Sequence, residues 1–157
     1  MAKNKEKASE VKSLTLSNGQ IRLLAEWLEK RSDGMPLLLH GSKARARNRF
    51  YILIGPRLKE IEERKTELAE QYSKKDKEGK IKFKEDGVTY DIAEDKQEAV
   101  NKEITSLFAE EYVIDILPSN RETLVEIKEM FLNLDRDFDM QGGAIYSFIC
   151  EELEKSI

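Results

Sequence analysis

The stretch from His40 to Lys59 holds Lys43, Arg45, Arg47, Arg49 and Arg57 and not one acidic residue. Such a cluster is the electrostatic footprint of a surface that meets an acidic protein face or a nucleic-acid backbone. Nucleic-acid recognition also asks for groups that read a groove or stack on bases. Phe50 and Tyr51 are close by, but they open the apolar run from Phe50 to Ile54, which reads as core. On a helix, Lys43/Arg47 and Arg45/Arg49 are separate i,i+4 pairs, so the charge spreads over more than one face. The five residues Lys43, Arg45, Arg47, Arg49 and Arg57 are the expected partner-binding set, with a protein as the first partner and nucleic acid as the rival.

Other chemical motifs begin and then fail. Gly41-Ser42-Lys43 suggests a phosphate loop, but Gly34 and Gly41 are too far apart and Ala44 stands where a magnesium-binding hydroxyl is needed. A helix cap at Ser42 explains the residues better. Asp135-Arg136-Asp137-Phe138-Asp139 has the alternating carboxylates that open a calcium loop. Its sixth position is Met140 instead of glycine and its twelfth is Tyr146 instead of glutamate. The plainer reading is a solvated acidic turn, with Gly142-Gly143 giving the backbone freedom; a weak divalent site there stays open. His40 and Cys150, the single histidine and single cysteine, could form a base–nucleophile pair, but nothing in their spacing brings them together. Cys150 lies in an apolar helical stretch, where a cysteine behaves as a small hydrophobe. No catalytic residue, resident metal or cofactor is expected.

These residues must be positioned by a chain of 157 residues, enough for one core. Charged residues make up 37% of it, against roughly 25% in an average soluble domain. Residues 1–75 carry 17 Lys/Arg and 10 Asp/Glu, whereas residues 76–157 carry 10 and 21, so the net charge of −4 hides a basic first half and an acidic second half. The halves could meet within the monomer or between copies, which leaves homo-oligomerisation open. No apolar run reaches the roughly 18 residues of a membrane span, and the charged start has no apolar stretch behind it, so neither a membrane anchor nor a signal peptide is expected. A lone cysteine fits a reducing compartment such as the cytoplasm.

Residues 1–11 read as a disordered tail and 12–157 as a single domain. Leu14-Thr15-Leu16 alternates as a short strand and runs into Ser17-Asn18-Gly19-Gln20, a capping box, with Leu16 and Ile21 at the staple positions. The helix that follows carries Ile21, Leu24, Ala25 and Leu28 and is expected to end at Ser32-Asp33-Gly34. After the apolar run 37–41, Ser42 should cap a long helix to about Tyr72, with a Leu58, Ile61, Leu68, Tyr72 stripe. Gly55-Pro56 inside it predicts a kink or a break, because proline removes a donor and crowds the preceding turn. Ile81–Phe83 and Val88–Ile92 alternate around Glu85-Asp86-Gly87, which predicts a hairpin. A third helix, from Glu94 or Asp95 to Glu110, precedes the strand Tyr112–Leu117, whose best partner is Leu14–Leu16. A fourth helix starts at Ser119 or Asn120, and a loop from Asp135 to Gly143 leads to a last helix bearing Ile145, Phe148, Ile149 and Leu153. The expected fold is α+β and mostly helical, with about five helices, a small antiparallel sheet and a projecting β-hairpin.

The order of these elements, the charged helix Arg57–Leu68, the Gln71-Tyr72…Asp76…Gly79-Lys80-Ile81 turn and the strand entered by Glu110-Glu111 resemble a family. It is a domain of unknown function found in short proteins of tailed phages and prophages of Gram-positive bacteria. The resemblance covers about two thirds of the chain and departs at Gly55-Pro56 and in the C-terminal extension. It implies a phage accessory protein without enzymatic activity, acting in the host cytoplasm or with the virion. Its partner would be a phage structural protein or a host protein, such as a defence protein that it inhibits. The family offers no catalytic residues to carry over.

Overall fold

Ser17 begins the first helix as its sequence spells out. Its N–H donates to Gln20 Oε1 (2.9 Å) and the Gln20 N–H donates to Ser17 Oγ (3.1 Å), so two of the orphan donors at the helix start are satisfied reciprocally. In the computed structural model, which describes residues 11–29, 39–135 and 137–157, this joins β1 (Ser13–Ser17) to α1 (Asn18–Glu29). The expected tail up to residue 10, the expected end of α1 at Ser32–Gly34 and the start of the apolar run 37–41 lie outside the described residues.

There follow α2 (Gly41–Tyr72), α3 (Glu94–Ala109), β2 (Glu111–Asp115), α4 (Arg121–Leu132) and α5 (Met140–Ser156). Among the described residues this makes five helices and one two-stranded antiparallel sheet, a mostly helical α+β fold. β1 pairs with β2, as their apolar patterns predict. The bonds Asn18 N–H to Glu110 O and Ile116 N–H to Lys12 O, both 2.8 Å, set a register in which Leu14 faces Ile114 and Leu16 faces Tyr112.

The chain forms two compact units. One contains the described residues among 11–15, 39–50 and 113–157, the other those among 16–29 and 51–112. In the first, Leu14, Ala46, Phe50, Ile114, Leu124, Ile127, Met130, Phe131, Ile145, Ile149 and Leu153 are buried, and Phe50 meets Phe131 edge to face at 5.5 Å between centroids. Each such aromatic ring removed from water contributes about 1.5–3 kcal/mol. In the second, Leu16, Ile21, Leu24, Ala25 and Leu28 are buried, as are Ile54 and Ile61 of α2 and Val100 and Leu107 of α3.

Two expectations are corrected, and of the kink or break expected at Gly55-Pro56 the break does not occur. α2 is unbroken through Gly55-Pro56, with Pro56 inside the helix; Phe50, Ile54 and Ile61 are all buried on its inner side, and their burial outweighs the donor that Pro56 lacks. The helix also starts one residue before the expected cap, at Gly41, whose φ of 53° suits glycine, so Ser42 lies within it. The loop after α4 ends at Asp139 instead of Gly143. The Asp139 carboxylate accepts from the Gly142 N–H (2.6 Å) as the N-cap of α5, and both glycines are helical.

Candidate functional site

The five basic residues have different surroundings. Lys43 Nζ donates to Asn133 O (3.0 Å) at the C-terminal end of α4, where a cation complements the helix dipole. Arg49 Nη1 lies 2.6 Å from Glu126 Oε2 on α4. Arg47 donates to Asn48 Oδ1 through Nε and Nη2, both at 3.2 Å. Arg45 is exposed and bonds to no described residue. The Arg57 side chain is 15% exposed, against 33% for Arg49.

Arg57 belongs to a network that the sequence did not signal. Its Nε donates to Asn18 Oδ1 (2.8 Å), Nη1 donates to both oxygens of Glu60 (3.1 Å each), Nη2 lies 3.6 Å from Glu110, and the guanidinium sits 5.4 Å from the Tyr112 ring centroid. Asn18 is fully buried and also donates through Nδ2 to Leu107 O (2.8 Å). Arg64 grips Glu110 with two bonds of 2.6 and 2.8 Å. That grip, with Arg57 alongside, holds the Glu110 carboxyl below the usual carboxylate range and raises Arg64. The only sequence signal was an asparagine placed where a buried turn meets a helix start; its partners are far along the chain. Beside this network a cleft of about 290 Å³ is lined by Arg64, Glu67, Leu68, Gln71, Glu103 and Glu110. Its arginine is already engaged by Glu110, and Glu103 accepts from the Tyr72 hydroxyl (2.5 Å).

His40 is exposed and Cys150 is buried, and burial pushes the Cys150 thiol up, away from the reactive thiolate. Among the described residues no group of three or more His, Cys, Asp and Glu side chains could hold a metal ion. None of the described helices is long and apolar enough to cross a membrane.

The segment 73–92 is the site that the geometry singles out. The expected hairpin is present, with Phe83 bridged to Tyr90 around Asp86-Gly87, but a third segment joins it through the isolated bridges Ser73–Ile92 and Lys75–Ile81. The three segments close on one another. Lys74 N–H donates to Asp91 O (2.7 Å), Asp91 N–H to Lys82 O (3.0 Å) and Lys82 N–H to Lys74 O (2.8 Å). At that level no segment is left with an open edge, which removes the weakness of an isolated two-stranded hairpin. Both turns are tied by aspartates. Asp76 Oδ1 accepts from the N–H groups of Glu78 and Lys80 (2.9 Å each), and Asp86 Oδ1 accepts from those of Val88 (2.9 Å) and Thr89 (2.8 Å). The Thr89 hydroxyl donates to Asp86 Oδ2 (2.5 Å), and these bonds to the ionised form bring the Asp86 carboxyl down to about 2. Gly79 and Gly87 supply the positive φ values, 80° and 70°, that the turns require.

At its base the module is anchored to α2, whose last residue in turn bonds to α3. The Ser73 hydroxyl donates to Glu70 O (2.9 Å), the Tyr90 hydroxyl to Glu70 Oε1 (3.4 Å) and the Tyr72 hydroxyl to Glu103. Beyond that base almost every residue is exposed, including Val88 (77%) and Phe83 (46%), whose ring leans on Tyr90 at 5.1 Å. No protein-family model, curated protein or solved structure matches the chain.

Proposed function

We propose that this chain is a phage-encoded accessory protein without enzymatic activity that works by binding another protein, and that the 73–92 module makes the contact. One observation carries the reading: a segment that contributes almost nothing to either core is held in a single shape. Helix–helix connections commonly take roughly 2–8 residues, and the link from Tyr72 to Glu94 is much longer. Long ordered connections are where binding residues concentrate. The bonds within the module keep Phe83 and Val88 fixed in water, so little ordering entropy is lost when a partner covers them. The phage context comes from the resemblance of residues 14–117, and it places the partner in a virion or tail, or among host defence proteins, with the chain acting in the host cytoplasm or on the particle.

The test compares the tagged chain with a Phe83→Ser/Val88→Ser variant in lysate from infected Gram-positive cells, with and without nuclease. A stoichiometric protein that survives nuclease and is lost from the variant supports the proposal. Capture that is equal for both chains removes the module from it. If everything bound disappears with nuclease, the rival reading replaces it, with nucleic acid on the basic helix segment 43–57, where Arg45 is exposed.

A further inference from the structure

Among the described residues β2 pairs with β1 alone, in a two-stranded sheet, and no other described strand lies along its outer side. In the register set by Asn18–Glu110 and Lys12–Ile116, the backbone groups of Tyr112 and Ile114 turn toward β1. Those of Glu111, Val113 and Asp115 therefore turn away from it. Asn120 closes the far end: its Nδ2 donates to Asp115 O (2.8 Å) and its Oδ1 accepts from the Leu117 N–H (2.8 Å). These are the two bonds a neighbouring strand would make at that point. The N–H and C=O of Val113 have no such substitute among the described residues. The side chains on the same face are unusual for solvent: Val113 is 52% exposed, and Leu117 and Val11 are exposed beside it.

We propose that an extended segment of a partner protein adds to this edge as a third strand, with the pattern basic-x-apolar-x-basic centred opposite Val113. The charge of the strand selects the occupant. Glu111 and Asp115 flank Val113 on its own face, both exposed. Residues directly opposite on paired strands interact most strongly, and like charges there are unfavourable. A second copy paired antiparallel about Val113 would set Glu111 against Asp115 at both ends, so the edge repels itself. A segment with Lys or Arg at those two positions and an aliphatic residue between them meets both carboxylates and covers Val113. Main-chain bonds then hold the strand while the alternate side chains choose it. The inference goes beyond the module-based reading above, and either can fail without the other.

The test uses the full chain and two synthetic peptides, acetyl-Thr-Arg-Thr-Val-Thr-Arg-Thr-amide and its counterpart with glutamate for both arginines. Binding is read by hydrogen exchange at the Val113 amide. The arginine peptide should slow that exchange at least tenfold and the glutamate peptide should not. The Glu111→Lys/Asp115→Lys chain, whose changed side chains are exposed, should reverse the preference. Val113→Pro should abolish binding, because its lost N–H points away from β1; if that variant does not fold, the charge reversal decides. Binding of neither peptide to the native chain overturns the proposal. So does binding without protection of Val113, or an unchanged preference after charge reversal.

Discussion

Arg57 shows what becomes of a basic residue that sequence patterning assigns to a surface. It lies two turns beyond a cationic run, yet its guanidinium is the partner of a fully buried asparagine, two glutamates and a tyrosine ring. Truncating it would leave Asn18 Oδ1 without its donor away from water, a loss of about 1–3 kcal/mol. Arg57→Ala should therefore lower the urea midpoint clearly. Arg45→Ala, at an exposed side chain, should stay within about 0.5 kcal/mol of the native chain. Equal effects in urea denaturation would contradict this division. Arg57→Lys should recover little, since an ammonium cannot reproduce the guanidinium fork. The same division governs tests of binding. Reversing Arg49 would set two carboxylates against each other at the Glu126 pair, so the exposed Arg45 is the residue to reverse when probing a partner. None of this was legible in the sequence, because Arg49 meets a residue 77 positions away and Lys43 one 90 positions away.

Individual elements were legible to the extent that local rules decide them. The Ser17–Gln20 box, the β1–β2 pairing and the Asp86-Gly87 turn all follow from residues within a few positions of each other or from plain apolar alternation. The third segment of the module did not, because Lys74 closes the ring only in company with Lys82 and Asp91. The module's acid response follows from Asp86. Its folded carboxyl value of about 2 lies below its ordinary 3.8, so its contribution is fully present above about pH 4 and is lost as the pH falls through 2. The Val88 and Thr89 amide shifts should titrate with a midpoint near 2 in NMR. In Asp86→Ala that step should be gone and the turn less ordered at every pH. α2 gives the opposite lesson, since the local rule at Gly55-Pro56 was overridden by the buried residues around it. If the helix is continuous, Gly55→Ala should stabilise by about 0.5–1 kcal/mol. A Cβ there meets nothing within 4 Å. Pro56→Ala should stabilise further, up to about 3 kcal/mol. A urea midpoint that does not rise would show that the chain prefers a break there.

At the scale of the whole molecule, the two units share their secondary structure. Among the described residues the chain passes from one unit to the other inside β1, α2 and β2; the remaining passage falls between α1 and α2, outside the described residues. Unfolding either unit therefore means breaking a helix in mid-run and a sheet in mid-ladder. Interrupted helices must be renucleated and short two-stranded pairs are marginal alone, so half-folded chains are disfavoured. One cooperative transition is expected. The composition supplies the reporters. The single tryptophan, Trp27, lies in α1 of one unit, and the single cysteine, Cys150, is buried in α5 of the other. Burial both hides the thiol and raises its pKa, so its reaction with an aromatic disulfide should be slow in the native chain and fast once α5 opens. Trp27 fluorescence and Cys150 reactivity, followed through the same urea series, should share one midpoint. If Cys150 becomes reactive at a urea concentration that leaves Trp27 fluorescence native, the units open separately. The shared elements would then be hinges between two domains and not the frame of one.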